Sequence, residues 1–445
     1  MSKVKTRIAI AAPVASAVAA TALFGGTRED PTTSRPALAP AATLSGLEID
    51  DGSTPLDTTA YVETLERRVA ADPEDGEAVA RLGVAYQQQA RETGDPSYYG
   101  RSEKALRRAV RFDDQRVDAT LGLAALAASR HRFHEARVLA RRVLARAPAN
   151  AEAYGVLGDA LLETGRYRRA FAAFERMVAL KPDVASYARI AYAREILGRR
   201  AGAIEAMELA VTASTGGESA AWALVQLGNL YFEVGRLRDA ERAYRAALVR
   251  KPGFPSADGE LAHIDVAEGR LAAAARRLRR VVAAIPSPDY ATALGDVLAA
   301  AGKDREADEA YALVESMERM LRANGVRTEL EIALFDLDHG GNAAEVLARV
   351  RGAHRRTPTT EADDILSWAL YRNGRCGEAR RYSVRALRLG TKDAIVYFHR
   401  GMIERCLGDA SSGRFFAQAL AINPNFSILD AAVARRLAEP PAERT

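Results

Sequence analysis

Cysteine, histidine, lysine and tryptophan are all scarce in this chain of 445 residues. The two cysteines, Cys376 and Cys406, allow one bridge at most. An oxidising compartment would let them pair, and two small half-buried thiols are the other reading. The six histidines are scattered. His134-Glu135 opens like a zinc-protease helix, but Val138 stands where the second histidine belongs, and His131 and His134 have no third ligand nearby. There is no phosphate-binding loop, serine elbow or dinucleotide fingerprint, so no catalytic residue, cofactor or metal is expected. Lysine occupies only seven positions, and arginine carries the positive charge of a chain whose net charge is +5. The densest run, Arg276, Arg277, Arg279 and Arg280, has no aromatic residue interleaved, which speaks against nucleic-acid binding.

Long apolar runs are missing too, with one exception. Lys3, Lys5 and Arg7 precede the apolar stretch Ile8 to Ala20, and Ala20-Thr21-Ala22 offers small residues to a signal peptidase. Residues 1–26 are therefore expected to be an export signal. The alternative is an uncleaved anchor, at the short end of the ~17 to 25 residues that span a bilayer and interrupted by Pro13. The expected location is secreted or cell envelope, membrane-anchored in the alternative, with any membrane association made through this segment alone. Residues 27–57 carry Pro31, Pro36, Pro40 and Pro55 among small and polar residues, without helical period, as a disordered linker does.

What the chain has in abundance is alanine in a repeating frame. YGVLGDALLETGRYRRAFAAFERMVALKP, Tyr154 to Pro182, places Leu157, Gly158, Ala170, Phe174 and Pro182 at the spacing of a 34-residue helix-turn-helix unit. Leu227, Gly228, Tyr231, Ala240, Tyr244 and Pro252 repeat it. Small residues suit the points where paired helices approach closely, and Pro148, Pro182, Pro252 and Pro286 stop second helices. Repeat starts are expected near 76, 117, 151, 184, 221, 255, 288, 327, 360 and 394. Three stretches break the step: RETGDPSYYG at 91–100, TASTGGES at 212–219 and the helix through VESMERMLRANG at 314–325. Tyr61, Leu65 and Val69 mark a capping helix before the array, a second cap follows Pro424, and 438–445 is a tail. The expected fold is all-α, a right-handed solenoid of about ten repeats over 58–437.

The pattern resembles the tetratricopeptide repeat. DPSYY at 95–99, SYARIAYAREILG at 186–198, AWALVQLGNLY at 221–231, LEIALFDLDHG at 330–340, LSWALYRNGR at 366–375 and LRLGTKDAIVYFHRGMIERCLGD at 387–409 are further similar to a family of uncharacterised bacterial tetratricopeptide proteins. Ile365-Leu366-Ser367 before Trp368 departs from that family's small residues. The resemblance implies a helical array behind an export or anchor segment, with no settled activity.

A solenoid of this kind is expected to bind a protein or peptide on its concave face. First-helix positions 2, 5, 9 and 12 supply Tyr192, Trp222, Asn229, Phe232, His263, Asp296, Phe335, Asp338, Asp364, Trp368, Tyr371 and His399, about half of them expected to be exposed. A clamp for an acidic C-terminus needs recurrent Lys, Asn and Arg there, and Asn229 alone fits. In FDLDHGG, Phe335 to Gly341, the cluster Asp336, Asp338 and His339 is read as a helix end, the alternative being a divalent-cation site. The expected role is a non-catalytic scaffold; the alternatives are a self-assembling envelope protein and a cytoplasmic regulator.

Overall fold

The computed structural model describes residues 57–438, and every regular element among them is a helix. The expected export segment, all of the expected linker but Asp57, and the tail beyond Ala438 lie outside the described residues. Helix α1 (Thr58–Ala71) opens the array. Five helix pairs follow: α2 (Gly76–Thr93) with α3 (Ser97–Phe112), α4 (Val117–Ser129) with α5 (Phe133–Arg146), α6 (Ala151–Leu162) with α7 (Tyr167–Leu180), α8 (Val184–Ile196) with α9 (Arg200–Thr212), and α10 (Gly217–Glu233) with α11 (Leu237–Arg250). The next three pairs are α12 (Pro255–Ala267) with α13 (Leu271–Ala284), α14 (Pro288–Ala300) with α15 (Asp304–Ala323), and α16 (Glu331–Asp338) with α17 (Ala343–Arg356). The last two are α18 (Thr360–Arg372) with α19 (Cys376–Ala386) and α20 (Ala394–Cys406) with α21 (Ser412–Ile422), after which α22 (Asp430–Ala438) covers the end.

Eight of the ten expected starts coincide with helix starts. Helix α10 begins earlier, at Gly217, because the Ser219 hydroxyl accepts from the Gly216 amide and turns that connection into a first helical turn. Helix α16 begins later, at Glu331, because α15 runs on for 20 residues and the chain must return before the next pair can start.

Small residues set the pairing distance. A Cβ on Gly158 would strike the Phe174 ring, and one on Gly228 would strike Tyr244. Ala240 is fully buried between α10 and α12. Second helices bury a single stripe, such as Ala240, Ala243, Tyr244 and Ala247 of α11, whose arginines turn outward. First helices are enclosed by a neighbour on each side and a second helix behind, so α18 buries nine residues of its thirteen. Cys376, the first residue of α19, is bonded to Cys406, the last of α20, clipping the ninth repeat to the tenth.

The coil closes on itself. Hydrogen bonds join residues 196, 193, 192 and 191 positions apart: His131 Nδ1 with the Arg327 carbonyl at 2.8 Å, the Thr360 amide to the Tyr167 hydroxyl at 2.7 Å, Arg200 Nη2 to the Lys392 carbonyl at 2.6 Å, and Asn423 Nδ2 to the Phe232 carbonyl at 3.2 Å. In each case the second to fifth repeats bring the turn between paired helices against a junction between repeats one superhelical turn later. The Pro286 carbonyl stands in the same relation to Gly94 of the first repeat. Leu389 and Ile428 add apolar contact across the same seam.

Candidate functional site

The inner face is built by the first helices, and closure decides what it exposes. Tyr192, Trp222, Phe232, His263 and Tyr371 are half-buried. Asn229, Asp296, Phe335, Asp338, Asp364, Trp368 and His399 are buried, which corrects their expected exposure. The reason is that a first helix packs against the first helices on both sides of it, so positions counted as facing the axis turn into those seams. Asn229 accepts from the Tyr244 hydroxyl at 2.8 Å and locks α10 to α11, so the one residue that matched an acidic-tail clamp is a packing residue.

Four of the buried residues form a polar spine through α16, α18 and α20. The Trp368 indole donates to Asp338 at 2.8 Å, its ring stacks on His399 with centroids 4.2 Å apart, and His399 Nδ1 meets Asp364 at 2.9 Å. Tyr371 also stacks on the indole, centroids 4.7 Å apart. Burial opposes a charge on His399, yet Asp364 beside it prevails and raises the imidazole above its ordinary value. Phe335 is held among Ala291, Val314, Met317 and Ile332 and stacks on His339.

The FDLDHGG cluster disperses rather than converging. Asp336 pairs with Arg349, Asp338 with Trp368 and Arg372, and His339 with Asp296 at 3.0 Å. Among the described residues no three His, Cys, Asp or Glu side chains are placed to hold a metal ion. Three of the four arginines in the run are paired: Arg277 bridges Asp258 and Asp265, Arg280 also reaches Asp258, and Arg279 pairs with Glu306.

The tetratricopeptide-repeat family model matches residues 127–194, from the end of α4 into α8, and residues 231–297, from the end of α10 into α14. Those residues carry tetratricopeptide repeats. TTC0263, a thermophilic repeat protein of Thermus thermophilus, is 21% identical, with a TM-score of 0.36, over 41% of this chain and 94% of that one. A human IFIT1 dimer with m7Gppp-AAAA is 17% identical, with a TM-score of 0.47, over 75% of this chain and 77% of that one. The Cut9-Hcn1 hetero-tetramer of the APC/C is 16% identical, with a TM-score of 0.47, over 86% of this chain and 73% of that one. No curated protein matches the chain.

Carboxyl groups that sequence reasoning missed line the interior of this tetratricopeptide coil. Glu163, at the end of α6, is pushed up to about 8 by burial and then by Glu361 and Glu331 of the next superhelical turn. Asp289 rises to about 7 through burial, Glu331 and Glu260. Burial, then Glu163 and Glu361, also lift the Tyr192 phenol well above its usual range. The groups acting on these three are carboxyls, another phenol and His131. For His131, burial opposes protonation, but Glu331 at 3.1 Å prevails and raises the imidazole to about 9. One signal for His131 was available in the sequence: it stands in the turn slot that Gly165, Gly198 and Gly235 fill in later repeats.

Proposed function

We propose that this protein is a non-catalytic scaffold that binds a protein segment bearing basic side chains along the inner face of its coil. The observation that supports this reading is the segregation of charge. Arg277, Arg279 and Arg280 of α13 are paired with carboxylates, whereas in the interior Glu163 and Asp289 are acted on by the carboxyls Glu361, Glu331 and Glu260, of which Glu331 meets His131 and Glu260 meets His263. A guanidinium or ammonium group entering there would relieve mutual repulsion in a setting where water screens it poorly. Half-buried Tyr192, Trp222, Phe232 and Tyr371 offer aromatic faces to the same segment.

The experiment is photo-crosslinking from position 232 in the native host, with sequencing of the captured peptide. A basic segment is the expected product. Capture of acidic or charge-free segments alone would overturn the choice of partner.

We further propose that the protein works outside the cytoplasm. The basic and apolar pattern of residues 1–26 supports this, and so does the Cys376–Cys406 bond, which suits an oxidising compartment. Amino-terminal sequencing of the mature protein is expected to begin beyond Ala22. An intact Met1 in the soluble cytosolic fraction would refute export.

A further inference from the structure

Among the described residues, His131 is the one non-glycine with a left-handed backbone, at φ 53°. Twelve glycines share that region, among them Gly165, Gly198 and Gly235 in the equivalent turns, where the lack of a Cβ makes the conformation easy. A side chain in that conformation is strained, and strain of this kind persists where the surroundings hold it in place. What holds His131 is the next superhelical turn. Its Nδ1 lies 2.8 Å from the Arg327 carbonyl and 3.1 Å from the Glu331 carboxylate, and the Arg327 amide donates to the Arg130 carbonyl.

The neighbouring contacts along the seam are of the same kind. Tyr167 accepts from the Thr360 amide and lies under Arg388, and Arg200 donates to the Lys392 carbonyl. Gly165 and Gly198 have the Pro358 and Gly390 carbonyls where a Cβ would be. These are a few hydrogen bonds between loops, with Leu389 and Ile428 as apolar partners, unlike the continuous cores that join successive repeats.

We propose that this seam is a latch: the turns of the second to fifth repeats rest on the repeat junctions of the next superhelical turn, His131 is the catch, and parting them opens the inner face to its partner. The inference rests on the reading of the inner face as the binding surface.

Titration acts on the catch in one direction. His131 faces Glu331 of α16, with Glu163 at the end of α6 nearby and Arg130 and Arg132 on its own turn. Glu163 faces Glu331, Glu361 of α18, Tyr192 of α8, Tyr167 of α7 and Asp159 on its own helix, the last held by Arg189. Raised above 6.5, His131 stabilises the closed form while protonated and loses that contribution as pH climbs through about 9. Glu163, raised above 4.5, is protonated in the closed form, and its ionisation works against closure as pH climbs towards about 8. Both changes loosen the seam at alkaline pH.

The test uses the full chain with spin labels at the exposed positions Arg168 and Arg355, which flank the Gly165–Pro358 contact. His131→Gly removes the catch and also the backbone strain, so helicity and thermal unfolding should hold. The label separation is expected to grow by roughly 5 Å or more, the scale of a one-turn displacement of packed elements. Access is read with Tyr192→Cys, whose thiol is unique because the native cysteines are bonded to each other. Its modification by a polyethylene-glycol maleimide should speed up roughly tenfold in the His131→Gly background, as expected when a minor open state becomes populated. Gly198→Ala supplies a second way to force the seam. Label separations and thiol rates that match the parent in both variants would overturn the latch. Neither readout involves a ligand, so absence of peptide binding in the opened coil counts against the binding reading and leaves the latch standing.

Discussion

The turns of the early repeats and those of the late repeats share a backbone conformation and differ in everything around it. Gly165 and Gly198, at φ 69° and 70°, each have a backbone carbonyl from the next superhelical turn against them. Gly269, Gly302, Gly374 and Gly408, at φ 76°, 73°, 71° and 69°, have nothing within 4 Å of where a Cβ would be. Among the described residues, no further superhelical turn lies against the late repeats. They hold together through their own interior instead, with the Trp368 spine, the Cys376–Cys406 bond and a cap by α22. One local motif therefore serves two purposes, and its position in the coil decides which.

The largest effect on this contrast should come from breaking the late half. Trp368→Ala leaves Asp338 and His399 without their shared partner and removes a buried ring, a change that costs about 3 to 5 kcal/mol. Hydrogen exchange is expected to show the eighth to tenth repeats opening at lower denaturant while the third to fifth hold. Equal loss in both regions would mean the array unfolds as one unit.

Breaking the Cys376–Cys406 bond comes next. Closure of a loop of 30 residues is worth about 3 to 4 kcal/mol on chain entropy. Cys406→Ser should lower the protection of α18 to α21 and leave α4 to α9 unchanged. Ala240→Leu probes the joint between the halves: overpacking of a fully buried site should cost about 1 to 3 kcal/mol by denaturant titration, and a neutral result would refute the assigned helix crossing.

A smaller and sharper comparison sets Gly198→Ala against Gly302→Ala. Both carry the left-handed penalty of about 1 to 2 kcal/mol, and Gly198→Ala should lose more because its methyl meets the Gly390 carbonyl. Identical losses would show that the seam yields freely. The smallest effect expected is on the pH dependence of stability. From about pH 6.5 to about pH 9, seam amides near Arg327 and Thr360 should lose protection before those of α14 or α20, as His131 gives up its proton and Glu163 completes its ionisation.

Much of the fold was legible because its determinants are local. Gly158 with Phe174, Gly228 with Tyr244, and the prolines after second helices announce each helix pair within its own 34 residues. The two misplaced starts, at α10 and α16, fall at insertions, where spacing stops carrying information. The candidate surface was read less well. Trp368, Asp364 and His399 occupy the positions that an isolated first helix would present to a ligand, but packing between neighbouring first helices covers them. Glu163 and Asp289 carry no motif, and they stand out only once their neighbours from other repeats are in place.

The sequence by itself determined the repeat unit, the number of repeats and the interfaces between successive helices, since these depend on side chains a few tens of residues apart. It also placed both cysteines in adjoining repeats and left their pairing open. Only the tertiary structure decided that the coil closes after five repeats, that His131 is held in a strained turn by Arg327 and Glu331, and that carboxyl groups of different turns share one interior. The physical reason is accumulation. The rotation between neighbouring repeats is set by packing and adds up over five steps, so contacts between residues more than 190 positions apart depend on every interface between them and on no local pattern.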